Sequence, residues 1–284
     1  MDKIKKIYVD SRYRSSDSVS NSDFKFELKE AIDVPDNTVC YIDDISIPHS
    51  WYTLEEYNNR LYIEYANTVT ETFYIVVIMP TGNYTGLTFA STLQAEVQKK
   101  IPSMFFVYNT ARGTITISTS TGDKNFRIVT DSHFIPGYWS QIFFEYADKD
   151  WKDVDDNPVN VDANNLMSLN EVIRNNELQP NGNLEFETGF LDLITTHNIY
   201  LHCPNLGHYN CIGVRGETSI VKKIPVSSSF GYLILDSVVA PHDKIDVSRQ
   251  TLKTMHFTLK NVHGNTINLH GANCSLSLVL QTME

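Results

Sequence analysis

FKFELK, Phe24–Lys29, sets Phe24, Phe26 and Leu28 against Lys25, Glu27 and Lys29 in strict alternation. Successive side chains of a strand point to opposite faces, so the segment predicts a half-buried antiparallel strand with one apolar and one wet face. The run Thr38–Ile47 follows and stops at Pro48, which has no N–H to give to a sheet ladder. From Asn198 onward the same signature returns in NIYLHC, SIVKKIPV, GYLILDSV, DKIDVS, LKTMHFTLK and CSLSLVLQ, parted by turn formers such as Asn205–Gly207 and His263-Gly264-Asn265. Two strands before the middle of the chain and six after it make eight. Eight short antiparallel strands in two facing sheets is the jelly-roll count. An eight-stranded immunoglobulin-like sandwich shares that count, whereas the strand-helix alternation of a parallel α/β fold is missing.

The stretch between the two sets has a different pattern. LYIEY and TFYIVVIM read as strands, and PTGNYTG turns the chain into a helix in which Leu87, Leu93, Val97 and Ile101 recur near helical spacing. Thr88 is placed to cap that helix and Pro102 to end it. MFFVYNTARGTITIST predicts a hairpin turned near Ala111–Gly113, with NFRIVT as a third strand. Ser168–Leu178 predicts a short helix, with Ser168 as N-cap and Glu171 completing a capping box. The expected division is an arm over residues 1–22, a discontinuous jelly roll over 23–50 and 192–284, and a small α+β insertion over 51–191.

Composition narrows the function. Of the 284 residues, 42% are hydrophobic and 20% charged, the balance of a folded globular chain. A net charge of −11 has the wrong sign for a surface that tracks phosphate backbone throughout. Basic character concentrates at Lys3, Lys5, Lys6, Arg12 and Arg14, an arm expected to be flexible in the free protein and at most a weak local contact for DNA. The longest apolar run, Phe73–Met79, is far below the roughly 20 residues of a membrane helix. Cys40, Cys203, Cys211 and Cys274 are too few and scattered for a secreted disulfide framework.

Several groupings invite a chemical reading. His202, Cys203, His208 and Cys211 have ligand types for zinc, without the C-x-x-C pair that usually anchors such a site. Asp148, Asp150, Asp153, Asp155 and Asp156 suggest calcium, yet an EF-hand beginning at Asp153 would hold Pro158 at its glycine position and Asn164 at its glutamate position. His256, His263 and His270 lack the paired spacing of a cupin-type centre. Arg215-Gly216-Glu217 reads as a turn. No nucleophile elbow, P-loop, dinucleotide fingerprint or H-E-x-x-H is present, so neither a catalytic site nor a cofactor is expected.

Five segments carry a resemblance. YVDSRYRS (Tyr8–Ser15), SNSDFKFEL and IDDISIPHSWYTL (Ile42–Leu54) resemble the N-terminal region of penton (minor capsid) proteins of virophages and Polinton/Maverick elements. PTGNYTGLTFASTLQ (Pro80–Gln94) resembles that family's strand-to-helix motif. LKTMHFTLKNVHGNTINLHG (Leu252–Gly271) resembles its C-terminal hairpin, with Asn261 where the family motif has an acidic residue. The resemblance implies a single jelly roll that forms homopentamers at the five-fold vertices of an icosahedral virion, among double-jelly-roll major capsid proteins and without catalytic residues. It also implies assembly inside the host cell. Trp51, Tyr52 and Tyr57 are then the candidate interface anchors, because rigid aromatics dominate interfaces. The rival is a carbohydrate-binding jelly-roll module that stacks sugars on PGYWSQIFFEY, Pro136–Tyr146.

Overall fold

The computed structural model describes residues 3–66, 72–119, 125–129, 166–169, 185–206, 211–214 and 216–283. The chain divides into two compact units, Met1–Trp51 with Thr196–Glu284, and Tyr52–Thr195.

The strands of the first unit are β1 (Lys3–Asp10), β2 (Asp23–Asp33), β3 (Thr38–Pro48), β10 (Asn198–His202), β11 (Ile220–Pro225), β12 (Leu233–Asp236), β13 (Ile245–Asp246), β14 (Thr251–Lys260) and β15 (Ser275–Thr282). Among them β3 buries nearly every second side chain, whereas β15, which has a strand on either side, buries five in a row from Leu276 to Leu280. One sheet runs β1-β15-β3-β12, with β13 also on β3, and the other runs β11-β10-β14-β2. β12 pairs with the Ile45–Pro48 end of β3 and β13 with Val39 and Cys40, so the two share one margin as an interrupted strand. That leaves eight strand positions, four per sheet. In chain order the strands fall in the first sheet, second, first, second, second, first, second, first. This alternation of antiparallel strands between two facing sheets is jelly-roll topology.

The two inner faces supply one core. Val9, Ile42, Ile45, Ile47, Ile234, Leu276 and Leu278 come from the first sheet, and Phe24, Ile199, Leu201, Ile224, Met255, Phe257 and Leu259 from the second. Phe24 and Phe257 are paired across β2 and β14, with ring centroids 5.7 Å apart. Cross-strand aromatic pairs of this kind add to the stabilisation from area burial.

The segment read as a flexible arm is part of the fold. From Lys3 to Asp10 it forms β1, in register with β15 from Thr282 back to Ser275. Ile7 and Val9 enter the core, and the ladder satisfies the backbone, which together offset the entropy of ordering the segment. Beyond it Ser15 N donates to Lys25 O at 2.8 Å and Ser20 N to Asp23 O at 2.9 Å, fastening the connection to β2.

Among the described residues the second unit holds two three-stranded sheets and the helix α1 (Gly86–Gln98). β4 (Arg60–Ala66) lies between β5 (Thr72–Ile78) and β8 (Asn125–Val129), and β7 (Thr114–Thr119) between β6 (Met104–Asn109) and β9 (Glu185–Glu187). Helix α1 buries Phe89, Ala90, Leu93 and Val97 in a core with Leu61, Ile63, Met79, Phe106 and Ile117. The cap is Thr85, not Thr88: Thr88 N donates to Thr85 Oγ1 at 3.3 Å and Thr88 Oγ1 accepts from Thr85 N at 2.8 Å, which closes a capping box. Leu87, expected on the buried face, is exposed because a helix starting at Gly86 turns it outward. Gly86 itself has no room for a side chain, since a Cβ there would meet the Tyr108 ring at 2.3 Å. The hairpin turns where expected, with Gly113 at φ +69°. The expected helix Ser168–Leu178 lies outside the described residues beyond Leu169.

Phe257 is fully buried at the centre of the sandwich. Phe257→Ala is expected to lose roughly 3–5 kcal/mol of stability by removing its contacts and leaving a cavity. Denaturant unfolding checks this, and a loss under about 1 kcal/mol would contradict the assigned core.

Candidate assembly interface

A sandwich of open sheets has margins whose outward N–H and C=O groups lack a strand neighbour. In the first sheet these are β1 on one side and β12 with β13 on the other. Both carry apolar residues on the solvent face. On β1, Ile7 and Val9 point inward, while Ile4 and Tyr8 point outward, Tyr8 being 71% exposed. Tyr13 and Val19, in the connection to β2, are also exposed. On β12, Ile234 is buried and its neighbours Leu233 and Leu235 face out, Leu235 at 69%, flanked by exposed Tyr232 and Val238.

Of the second sheet's two outer strands, β11 and β2, the latter differs. On β2, Lys25 pairs with Asp17 at 2.6 Å and Glu27 with Lys253 at 3.4 Å. These are solvated ion pairs of little energetic consequence. The outer face of β2 is thus charged where those of β1 and β12 are apolar.

The basic residues at the chain's start are spoken for in several places. A register shift between Ser277 and Leu278 leaves Asp43 as the extra residue of β3, a bulge that brings Asp43 and Asp44 within 2.5 and 3.6 Å of Lys6 Nζ. The hydrogen bond to Asp43 raises the Lys6 pKa, with burial opposing it. Arg12 forks onto Asp10, its terminal nitrogen 2.6 Å from Oδ2, and this hydrogen bond holds the Asp10 carboxyl below its usual range. Arg14 donates to Ser11 O at 3.1 Å. Lys5 is exposed on β1, and Lys3 pairs through its backbone with Thr282.

The aromatic anchors read from the sequence are placed differently. Trp51 is only 4% exposed and belongs to the sandwich core, stacked on His49 at 4.2 Å between centroids, because the chain leaving β3 folds it back over the apolar interior. Tyr52 is half-buried, and its backbone N–H donates to Glu55 Oε1 at 3.0 Å. Tyr57 is half-buried too: burial first, then the Glu55 charge, push its phenol up to about 12, against a hydrogen bond with Thr195. Tyr8, Leu233 and Leu235 are among the apolar residues that are exposed. Their signal was present in IYV and YLIL, where apolar residues occupy both faces of a strand.

The metal readings find no centre among the described residues: no three His, Cys, Asp or Glu side chains come together there. Cys203 is in the core, its thiol pushed up to about 12 by burial. His202 Nδ1 is 2.9 Å from Ser219 Oγ. His208, the acidic stretch Asp148–Asp156, Arg215 and the aromatic segment Pro136–Tyr146 lie outside the described residues. His256 Nε2 is 2.6 Å from Asp23 Oδ1, and His270 Nδ1 2.7 Å from Ser50 O, so these serve the sandwich separately.

Two solution properties follow. Cys40, Cys203 and Cys274 are buried and Cys211 is partly exposed, so a thiol reagent at about pH 8 should modify Cys211 alone in the folded protein and all four in denaturant. Rapid modification of Cys203 would contradict its place in the core. Burial, aided by the Lys260 charge and opposed by Glu217, lowers the His202 pKa. The unfolded chain then binds the extra proton first, so this contribution to stability is complete above about pH 6.5 and lost as pH falls below it. His202→Gln should therefore show a smaller drop in melting temperature than the unsubstituted protein between about pH 7 and 5.5; an equal drop would assign the loss to other groups.

No protein-family model matches the sequence, and no curated protein matches it. Among solved structures, the fold is similar to the crystal structure of SeMet-labelled mavirus penton protein, with a TM-score of 0.54 over 100% of both chains and 9% sequence identity. The chain thus has a penton-like fold, an all-β jelly roll carrying a small α+β unit.

Proposed function

We propose that the protein is a structural capsid subunit that closes the five-fold vertices of an icosahedral virion as a homopentamer, set among double-jelly-roll major capsid proteins. The observation that carries this reading is the pair of unlike apolar margins on opposite sides of one sheet. A two-fold dimer contact uses the same patch on both partners, whereas two different patches on one subunit suit a head-to-tail contact, which closes into a ring when its rotation is 72°. The likeness of the whole fold to a mavirus penton protein, and the motifs at both ends of the chain, support the vertex as the place of that ring.

The function is geometric, and assembly takes place inside the host cell. Lys6 and Arg12 are neutralised by their own aspartates, which leaves the N-terminal region a weak phosphate footprint and makes subunit contact its principal role. No helix among the described residues is long and apolar enough to cross a membrane. Light scattering on the purified protein is expected to give five times the 32.4 kDa chain mass, with five-fold rings in negative stain. A strictly monomeric protein at all attainable concentrations would remove the reading in favour of a binding module.

A further inference from the structure

We infer that a recess lined by β11, an outer strand of the second sheet, and by β13, on the margin of the first, binds an apolar monocarboxylate of the fatty-acid class. The recess holds about 400 Å³, within the roughly 300–1,000 Å³ usual for small-molecule sites. Its lining comes from the turn 211–214, from β11 with Tyr200 beside it, and from residues 243–245.

Most of that lining is hydrocarbon, supplied by Ile212, Val214, Ile220 and Ile245. Ile212 and Val214 are 80% and 73% exposed, and the turn that carries them is held in place. Gly213 N donates to Glu217 O at 2.7 Å and Gly216 N to Gly213 O at 3.0 Å, while a Cβ on Gly213 would meet Ile220 Cδ1 at 2.7 Å. Single exposed apolar side chains are ordinary on a protein surface. Two on one pinned turn at the rim of a recess are a surface that an apolar ligand would take out of water.

The charge of the ligand follows from which polar groups are free. Three lysines line the recess, and two are committed to the fold. Lys222 is buried, its Nζ donating to Val238 O at 2.8 Å and lying 3.5 Å from Asp236 Oδ1. Lys244 donates to Gln281 Oε1 at 3.1 Å and lies over the Tyr41 ring. Asp243, the acidic residue of the lining, accepts from Ala240 N at 3.0 Å. Lys223 is exposed and stands directly opposite Tyr200 in the register of β10 on β11. Neither side chain has an ion pair or hydrogen bond among the described residues. Residues so placed have Cβ atoms about 4.5–5.5 Å apart, which lets one ammonium and one phenol donate to the same carboxylate. One un-neutralised cation suits one negative charge.

The test uses decanoate, below its micelle concentration, and the full-length chain diluted below ring formation. Equilibrium dialysis is expected to show one saturable site, with hexanoate and the uncharged decanol each at least about tenfold weaker. Cys211 also lines the recess, so bound decanoate should slow its modification by a thiol reagent. Lys223→Gln should weaken decanoate at least about fivefold and leave decanol unchanged, whereas Ile212→Asp should weaken both. Lys29→Gln, at an exposed lysine on β2, should change neither. The substituted side chains are exposed, so the melting temperature should stay the same. Equal affinity for decanoate and decanol, or decanoate binding that survives both recess substitutions, would overturn the inference. So would unslowed modification of Cys211 at saturation, or no saturable binding. Attachment to phosphatidylserine vesicles without uptake of free decanoate would assign the surface to membranes and overturn it too. None of these outcomes bears on the pentamer.

Discussion

The sandwich depends on β15. Its residues Ser275–Thr282 carry a ladder to β1 on one side and a ladder to β3 on the other, so the last strand of the chain lies between the first and the third. Without it β1 has no partner and the first sheet falls into separate pieces. The same strand lines the core with Leu276, Leu278 and Leu280. Contacts this distant in sequence require long loops to be closed before they are rewarded, which makes slow, cooperative folding the physical expectation.

That dependence also accounts for what the sequence disclosed. FKFELK, LKTMHFTLK and CSLSLVLQ announced β2, β14 and β15 because their burial alternates or runs unbroken over a whole strand. β1 contributes only Ile7 and Val9 to the core, and its lysines and the serines after it resemble a solvated tail. Its partner lies at the far end of the chain, beyond any local pattern. β9 has three residues, too few for a periodicity. The helix was legible from its spacing, but Thr85 and Thr88 are both capping residues in sequence, and only the backbone decides which one caps.

The candidate surface was less legible for a related reason. Large aromatics near Pro48 looked like anchors, yet a Trp following a core strand has apolar surface available on its own chain, and Trp51 takes it. Leu233 and Leu235 lie in an unbroken apolar run, YLIL, whose pattern does not say which face is buried. Their position on a short marginal strand, with Ile234 filling the interior place between them, is what turns them outward. The bulge at Asp43 belongs to the same class of feature: it sets two carboxylates beside Lys6 and is invisible without the register of β15 on β3.

The central claim is that the free margins of the first sheet are made for assembly. Amide hydrogen exchange, compared between the ring and the dissociated subunit, tests this most directly. The account predicts that amides of β1 and β12 become markedly slower in the ring while β14, inside the second sheet, is unchanged. Equal exchange at both margins in the two states, with new protection confined to other surfaces, would contradict it.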